Sequence, residues 1–113
     1  MRTLDGEQTL VRICIGETDK WHHQSLWSAL LEKLRKEGFA GATVMSAIAG
    51  FGASSHVHTA NILRLSIDLP IIIEVVDTQE HTERLLEILD GMMDGGLVTV
   101  EKVRVVKYAA RKQ

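Results

Sequence analysis

A single cysteine, Cys14, stands in the 113 residues, so no disulfide can form within the chain, and the composition suits a reducing cytoplasm. A single proline, Pro70, and the lack of any low-complexity or Pro/Gly/Ser-rich tract leave no linker, so residues 1–113 read as one domain. Charge of one sign is also missing. With 13 Lys and Arg against 15 Asp and Glu, the formal net charge is −2, which removes the basic footprint that nucleic-acid binding needs. No apolar core of the secretory type follows Met1, so export is not expected. Residues 38–63 hold no Asp, Glu, Lys or Arg, yet Gly38, Gly41, Gly50, Gly52, His56, His58 and Asn61 make the stretch too polar and too easily broken for direct membrane insertion.

What is present is apolar patterning with two periods. Residues 9–15 alternate, with Val11, Ile13 and Ile15 on one side, and read as a strand closed by Gly16. From about residue 21 to 37, Leu26, Trp27, Leu30, Leu31 and Leu34 recur at three- and four-residue steps opposite Glu32, Lys33, Arg35 and Lys36. That spacing predicts an amphipathic helix ended by Gly38, with Thr18 or Asp19 as its cap, or with His22, His23 and Gln24 still in a loop before it. Residues 42–49 read as a second strand and 50–59 as a loop. Residues 62–67 alternate again, and the β-branched run 71–76 follows Pro70, which is expected at a bend or an edge because it cannot donate to a ladder. Thr78 caps a second helix carrying Leu85, Ile88, Leu89 and Met92 on one stripe and stopped by Gly95-Gly96; residues 97–107 form the last strand. The order βαββαβ predicts an α+β, ferredoxin-like sandwich: an antiparallel four-stranded sheet with two helices on one face.

Alternation also assigns the faces of that sheet. Val11, Ile13, Leu63, Leu65, Ile73, Val103 and Val105 are expected toward the helices, leaving Arg12, Cys14, Arg64, Glu74 and Arg104 on the far side. An apolar face with embedded charges fits contact with another subunit that pairs those charges; an ordinary exposed face is the alternative.

Candidate chemistry is sparse. Gly50-Phe51-Gly52 followed by Ser54 and Ser55, directly after a strand, could turn backbone amides and hydroxyls toward an anion, or could simply be a tight turn. It has neither the third glycine of a dinucleotide fingerprint nor the Gly-Lys-Ser ending of a P-loop. His56 and His58 fall on one side of an extended segment and are the weak metal candidates, yet spacing fixes no third ligand. His22 and His23 could line a pocket beside the first helix or stand exposed. Cys14 reads as a small mid-strand hydrophobe, and Glu17, Asp19, Asp68 and Asp77 lie at element ends, where caps and turns use them. No catalytic constellation is present, so no catalytic residue is assigned. The basic residues Lys102, Arg104, Lys107, Arg111 and Lys112 could hold a phosphate or stand solvated.

Three stretches together resemble the PII signal-transduction proteins, more specifically their uncharacterised PII-like relatives: Gly41-Ala42-Thr43-Val44, Gly50-Phe51-Gly52, and the run from Asp68-Leu69-Pro70 to Asp77. The likeness spans residues 9–107. It implies a homotrimer of ferredoxin-like subunits, acting as a non-enzymatic sensor that binds a small anionic ligand, an adenine nucleotide, in clefts between subunits. By that resemblance Thr43 lies beside the base, Gly50, Phe51, Gly52, Ser54 and Ser55 lie around the loop base near the phosphates, and Arg104 reaches in from the neighbour. It also implies a membrane channel or transporter as partner. The chain departs from the PII pattern in three ways. The lysine-ending phosphate loop is reduced to Asp94-Gly95-Gly96, Ser54 replaces the family's glutamine, and the regulatory loop holds no tyrosine, which leaves open a less charged nucleotide or another anion. A metal-binding trimer using His56 and His58, or a small enzyme in the same cleft, are the alternative functions.

Overall fold

The computed structural model describes residues 2–52 and 68–111. The elements, in chain order, are β1 (Gly6–Gly16), β2 (Lys20–Trp21), β3 (Gln24–Ser25), α1 (Leu26–Lys36), β4 (Thr43–Ser46), β5 (Pro70–Asp77), α2 (Gln79–Met92) and β6 (Leu97–Val105). Strands β4, β5, β1 and β6 form, in that order, a fully antiparallel sheet, the strand order of the expected ferredoxin-like α+β sandwich. The expected strand at 62–67, with Leu63, Arg64 and Leu65, lies outside the described residues.

Alternation in β1 and β5 builds the core. Val11, Ile13 and Ile15 interleave with Ile71, Ile73 and Val75, and the stripe Leu26, Leu30, Leu34 of α1 and Leu85, Leu89 of α2 closes over them. Each such side chain contributes roughly 1.5–3 kcal/mol on full burial, so this seam between sheet and helices is the main source of stability. Gly38, at φ +81°, ends α1 in the left-handed conformation that its position was expected to require.

Two boundaries differ from expectation. Helix α1 starts at Leu26 rather than near Trp21, because residues 20–25 pair as a short β2–β3 hairpin; His22 and His23 stand at its exposed turn, before the helix as the alternative start had them. Neither Thr18 nor Asp19 caps it: Ser25 occupies the cap position, while the Asp19 carboxylate turns back to accept from the Gly16 N–H at 2.9 Å. Strand β4 is also shorter than residues 42–49. Pro70 begins β5, an interior strand, where its carbonyl accepts from Ala47 at 2.9 Å; the first strand position spares it the donor it lacks. Thr78 caps α2 as expected, its hydroxyl accepting from the His81 N–H at 3.1 Å.

The pairing register corrects the face assignment of β6. Val11 stands opposite Val100 and Ile13 opposite Val98, so even-numbered β6 residues share the helix side; Val103, opposite Gln8, joins the far face, and Arg104, opposite Glu7, leaves it. Val105 belongs with Val103, not with the core residues. Arg12, Cys14 and Glu74 do lie on the far face. The Arg12 charge, expected to be met by a neighbour, is met within the chain: its guanidinium contacts Glu74 at 2.9 Å and Glu101 at 3.6 Å.

At one end of the sheet, where β5 runs into α2, Asp77 is 1% exposed. It accepts from Arg2 Nη1 at 3.0 Å and from the N–H groups of Ala40 and Thr78, each at 2.8 Å, with a second, closer contact to Arg2 Nη2. Burial pushes this carboxyl up, but the Arg2 hydrogen bonds and the two amides, with His81 beside them, outweigh it and hold the pKa below the ordinary carboxylate value. The Tyr108 hydroxyl donates to the Ala40 carbonyl, and the Tyr108 carbonyl accepts from Leu4, so both chain ends fold back on this corner.

Candidate functional site

The opposite end of the sheet is open. There the C-terminal end of β1, the start of β5, the loop before β6 and the segment after β4 surround a groove of about 380 Å³, within the size range of small-molecule sites. Cys14, Ile15 and Gly16 form its base; Phe51, Gly52 and Pro70 stand on one side and Gly95, Gly96 and Leu97 on the other. Asp19, Asp68 and Asp94 also line it.

Each wall has a local cause. Gly96, at φ +104°, lies so close to β1 that a Cβ would come 2.9 Å from the Cys14 carbonyl oxygen and 2.8 Å from Met93 Cε. Only a bare backbone lets this loop press onto the strand. Asp68, at φ +35°, accepts from both the N–H and the hydroxyl of Thr18, at 3.0 and 2.8 Å, which ties the entrance of β5 to the turn after β1. A Cβ at Gly16 would meet the Asp68 carboxylate at 2.3 Å, so a side chain there would push Asp68 off Thr18. Phe51 is 73% exposed and Leu97 60% exposed, so the rim offers apolar surface that nothing within the described chain covers.

The expected site residues separate into three groups. Phe51 and Gly52 line the groove, and Gly50 sits at its edge, where a Cβ would approach the Pro70 ring at 3.0 Å. Thr43 is exposed on β4 opposite Glu74, four residues along β5 from Pro70, or about 13 Å at the rise of a strand. Arg104 is seven residues from Leu97 along β6, about 23 Å from the groove of its own chain. Ser54, Ser55, His56 and His58 lie outside the described residues. Among the described residues no group of three or more His, Cys, Asp or Glu is arranged to hold a metal ion, and no helix is long and apolar enough to cross a membrane.

Sequence reasoning placed Asp19 and Asp68 at element ends without placing them in a site. Their meeting depends on the pairing of β1 with β5 across some fifty residues, which no local pattern announces. The Asp94-Gly95-Gly96 loop did carry a signal, a glycine pair between a helix and a strand.

Sheet order, two helices on one face and a glycine-walled groove at the sheet end define a PII-like ferredoxin-type fold. The solved structures agree. A candidate PII-like signaling protein of Thermus thermophilus superposes with a TM-score of 0.64 at 23% identity, over 94% of both chains. CPII of Thiomonas intermedia K12, in a structure bound to ADP and bicarbonate, superposes with a TM-score of 0.59 at 18% identity, over 92% of this chain and 91% of that one. The chain belongs to the DUF190 family, described as "Uncharacterized ACR", whose model matches residues 8–105. Its relatives include a UPF0166 protein of Aquifex aeolicus, 33% identical over 88% of this chain and 94% of the relative. A UPF0166 protein of Methanocaldococcus jannaschii is also 33% identical, over 87% and 91%.

Proposed function

We propose that this chain is a single-domain, non-enzymatic PII-like signalling protein of the cytoplasm that binds a small anionic ligand, an adenine nucleotide, in the groove at the sheet end. The observation that carries the reading is the groove itself: Phe51, Gly52, Gly95 and Gly96 bring exposed apolar surface and bare backbone to one cleft, in a fold shared with a protein solved with ADP. The subunit would act as a homotrimer. Leu10, Ile72, Val76 and Met45 lie on the far face of the sheet, half-buried or exposed and uncovered by either helix, and docking through that face would bury them. Thr43 on the same face and Arg104 on the edge strand would then reach a ligand held by a neighbour rather than by their own chain. Serines 54 and 55 would belong to the loop that answers the ligand, and a membrane channel or transporter is the proposed recipient of that answer.

Calorimetry against AMP, ADP, ATP and cyclic AMP tests this. Binding of at least one is expected, weakened tenfold or more by Arg104→Ala and by Gly52→Val. A Cβ at Gly52 meets no described residue within 4 Å, so valine there would project into the groove. Light scattering should give the same trimer mass for all three proteins. Binding of none of the four nucleotides, or a monomer in solution, overturns the proposal.

A further inference from the structure

The lining of the groove contains three carboxylates, Asp19, Asp68 and Asp94, and no Lys, Arg or His among the described residues. That is an unusual wall for a phosphate site, because carboxylates repel a polyanion and the repulsion grows with each added charge. Two of the three are fixed in place: Asp19 holds the Gly16 N–H, and Asp68 holds Thr18 through two hydrogen bonds. Asp94 is exposed at the mouth and makes no salt bridge with a described residue. The apolar part of the wall, Phe51 and Leu97, suits a flat ring, and carboxylates accept hydrogen bonds from amino and hydroxyl groups.

From this arrangement we infer that the groove selects the nucleoside end of its ligand and discriminates against phosphate charge, so that a monophosphate binds best and affinity falls as phosphates are added. The inference rests on the nucleotide reading above and specifies the ligand class within it. One arginine arriving from a neighbouring subunit, Arg104, would match one phosphate group and leave the second and third facing Asp94. The preference is thus set by charge, with Asp94 as the specificity-determining residue at the mouth.

Salt gives the sharpest sign test. At a site built from cations, added salt weakens binding of a phosphate; at a site walled by carboxylates, salt screens the repulsion and strengthens it. Calorimetry without divalent cations at 50 and 500 mM NaCl, with adenosine, AMP, ADP and ATP as probes, reads both effects. The expected order is AMP, then ADP, then ATP, with a three- to tenfold loss per added phosphate, roughly what one unit charge at about 6–10 Å produces in an open groove where water raises the effective dielectric to about 40. ATP affinity is expected to rise with salt. Asp94→Asn should improve ATP binding three- to tenfold and AMP binding less than twofold, with an unchanged circular dichroism spectrum. ATP binding tighter than AMP, or ATP binding weakened by salt in the unaltered protein, overturns the inference while leaving the nucleotide site standing. Absence of binding by every probe overturns both. The salt series needs no variant, so it decides the matter even if the asparagine protein fails to fold.

Discussion

Strand β5 has a carboxylate at either end, and the two have opposite fates. Asp77 at its C-terminal end is buried, bonded to Arg2, Ala40 and Thr78, and joined to both chain termini through the Ala40 segment. Asp68, just before its N-terminal end, holds only the turn at Thr18 and stands in the wall of an open groove. One strand thus links a corner where every polar group is satisfied by the chain itself to a corner that presents backbone, apolar rim and negative charge outward. A buried, fully bonded carboxylate serves the fold, whereas carboxylates and glycines around an open cleft are available to something else.

The comparison predicts its largest effect at Asp77. Replacement by alanine leaves two backbone N–H groups without their acceptor and the Arg2 guanidinium with only the Gly38 carbonyl among described oxygen acceptors, at a cost of about 3 kcal/mol. Thermal unfolding should show Tm lower by roughly 10 °C or more. The folded-state pKa of Asp77 is depressed, so its stabilisation is complete above the unfolded value near 4 and is lost as pH falls through that value and below it. Glu37, held low by the Arg84 hydrogen bond, acts in the same direction. Urea unfolding between pH 7 and 3 should therefore show stability falling on the acid side, with a shallower fall in Asp77→Asn. An Asp77→Ala protein as stable as the original would erase the distinction between the two ends.

Gly96 and Gly95 give the next contrast, now within the open end. Both have strongly positive φ, +104° and +106°, but a Cβ on Gly96 collides with the Cys14 carbonyl and Met93, whereas one on Gly95 meets nothing within 4 Å. Gly95→Ala should cost only conformational strain, about 1 kcal/mol. Gly96→Ala should cost about 2–3 kcal/mol, because the backbone of β1 cannot move aside as a flexible side chain can. Chemical denaturation of the pair measures the difference; equal costs would mean that the loop does not press on β1.

How much of this was legible beforehand follows from the range of each interaction. The alternation of Val11, Ile13 and Ile15, the stripe of Leu26, Leu30 and Leu34, and the Thr78 cap are local patterns, and the structure holds them as read. The β2–β3 hairpin was hidden because each of its strands, Lys20–Trp21 and Gln24–Ser25, is two residues long, too short for any alternation to register. The facing of Val103 and Arg104 failed for another reason. Strand β6 is apolar at Leu97, Val98, Val100, Val103 and Val105, on both parities, so alternation is ambiguous there and only pairing with β1 decides it. Half of the groove was visible, through Phe51, Gly52 and the Gly95-Gly96 pair. The carboxylate wall was not, since Asp19, Asp68 and Asp94 converge only when three loops meet at one end of the sheet.

The smallest effect on stability, and the clearest separation of fold from site, is expected at Phe51. A side chain 73% exposed gives up little on truncation, so Phe51→Ala should unfold within about 0.5 kcal/mol of the unaltered protein. Its ring nevertheless stands at the groove rim. If it stacks on a base, removing it forfeits roughly 1–3 kcal/mol of binding, a loss of about five- to 150-fold in affinity for AMP by calorimetry. Unchanged affinity would detach Phe51 from the ligand and leave the groove to Gly52 and the glycine pair. A drop in Tm as large as that of Asp77→Ala would instead make the open end a second structural corner. Only the combination of intact stability and lost affinity keeps the two ends of β5 distinct in purpose, because a structural side chain cannot be removed without cost to folding.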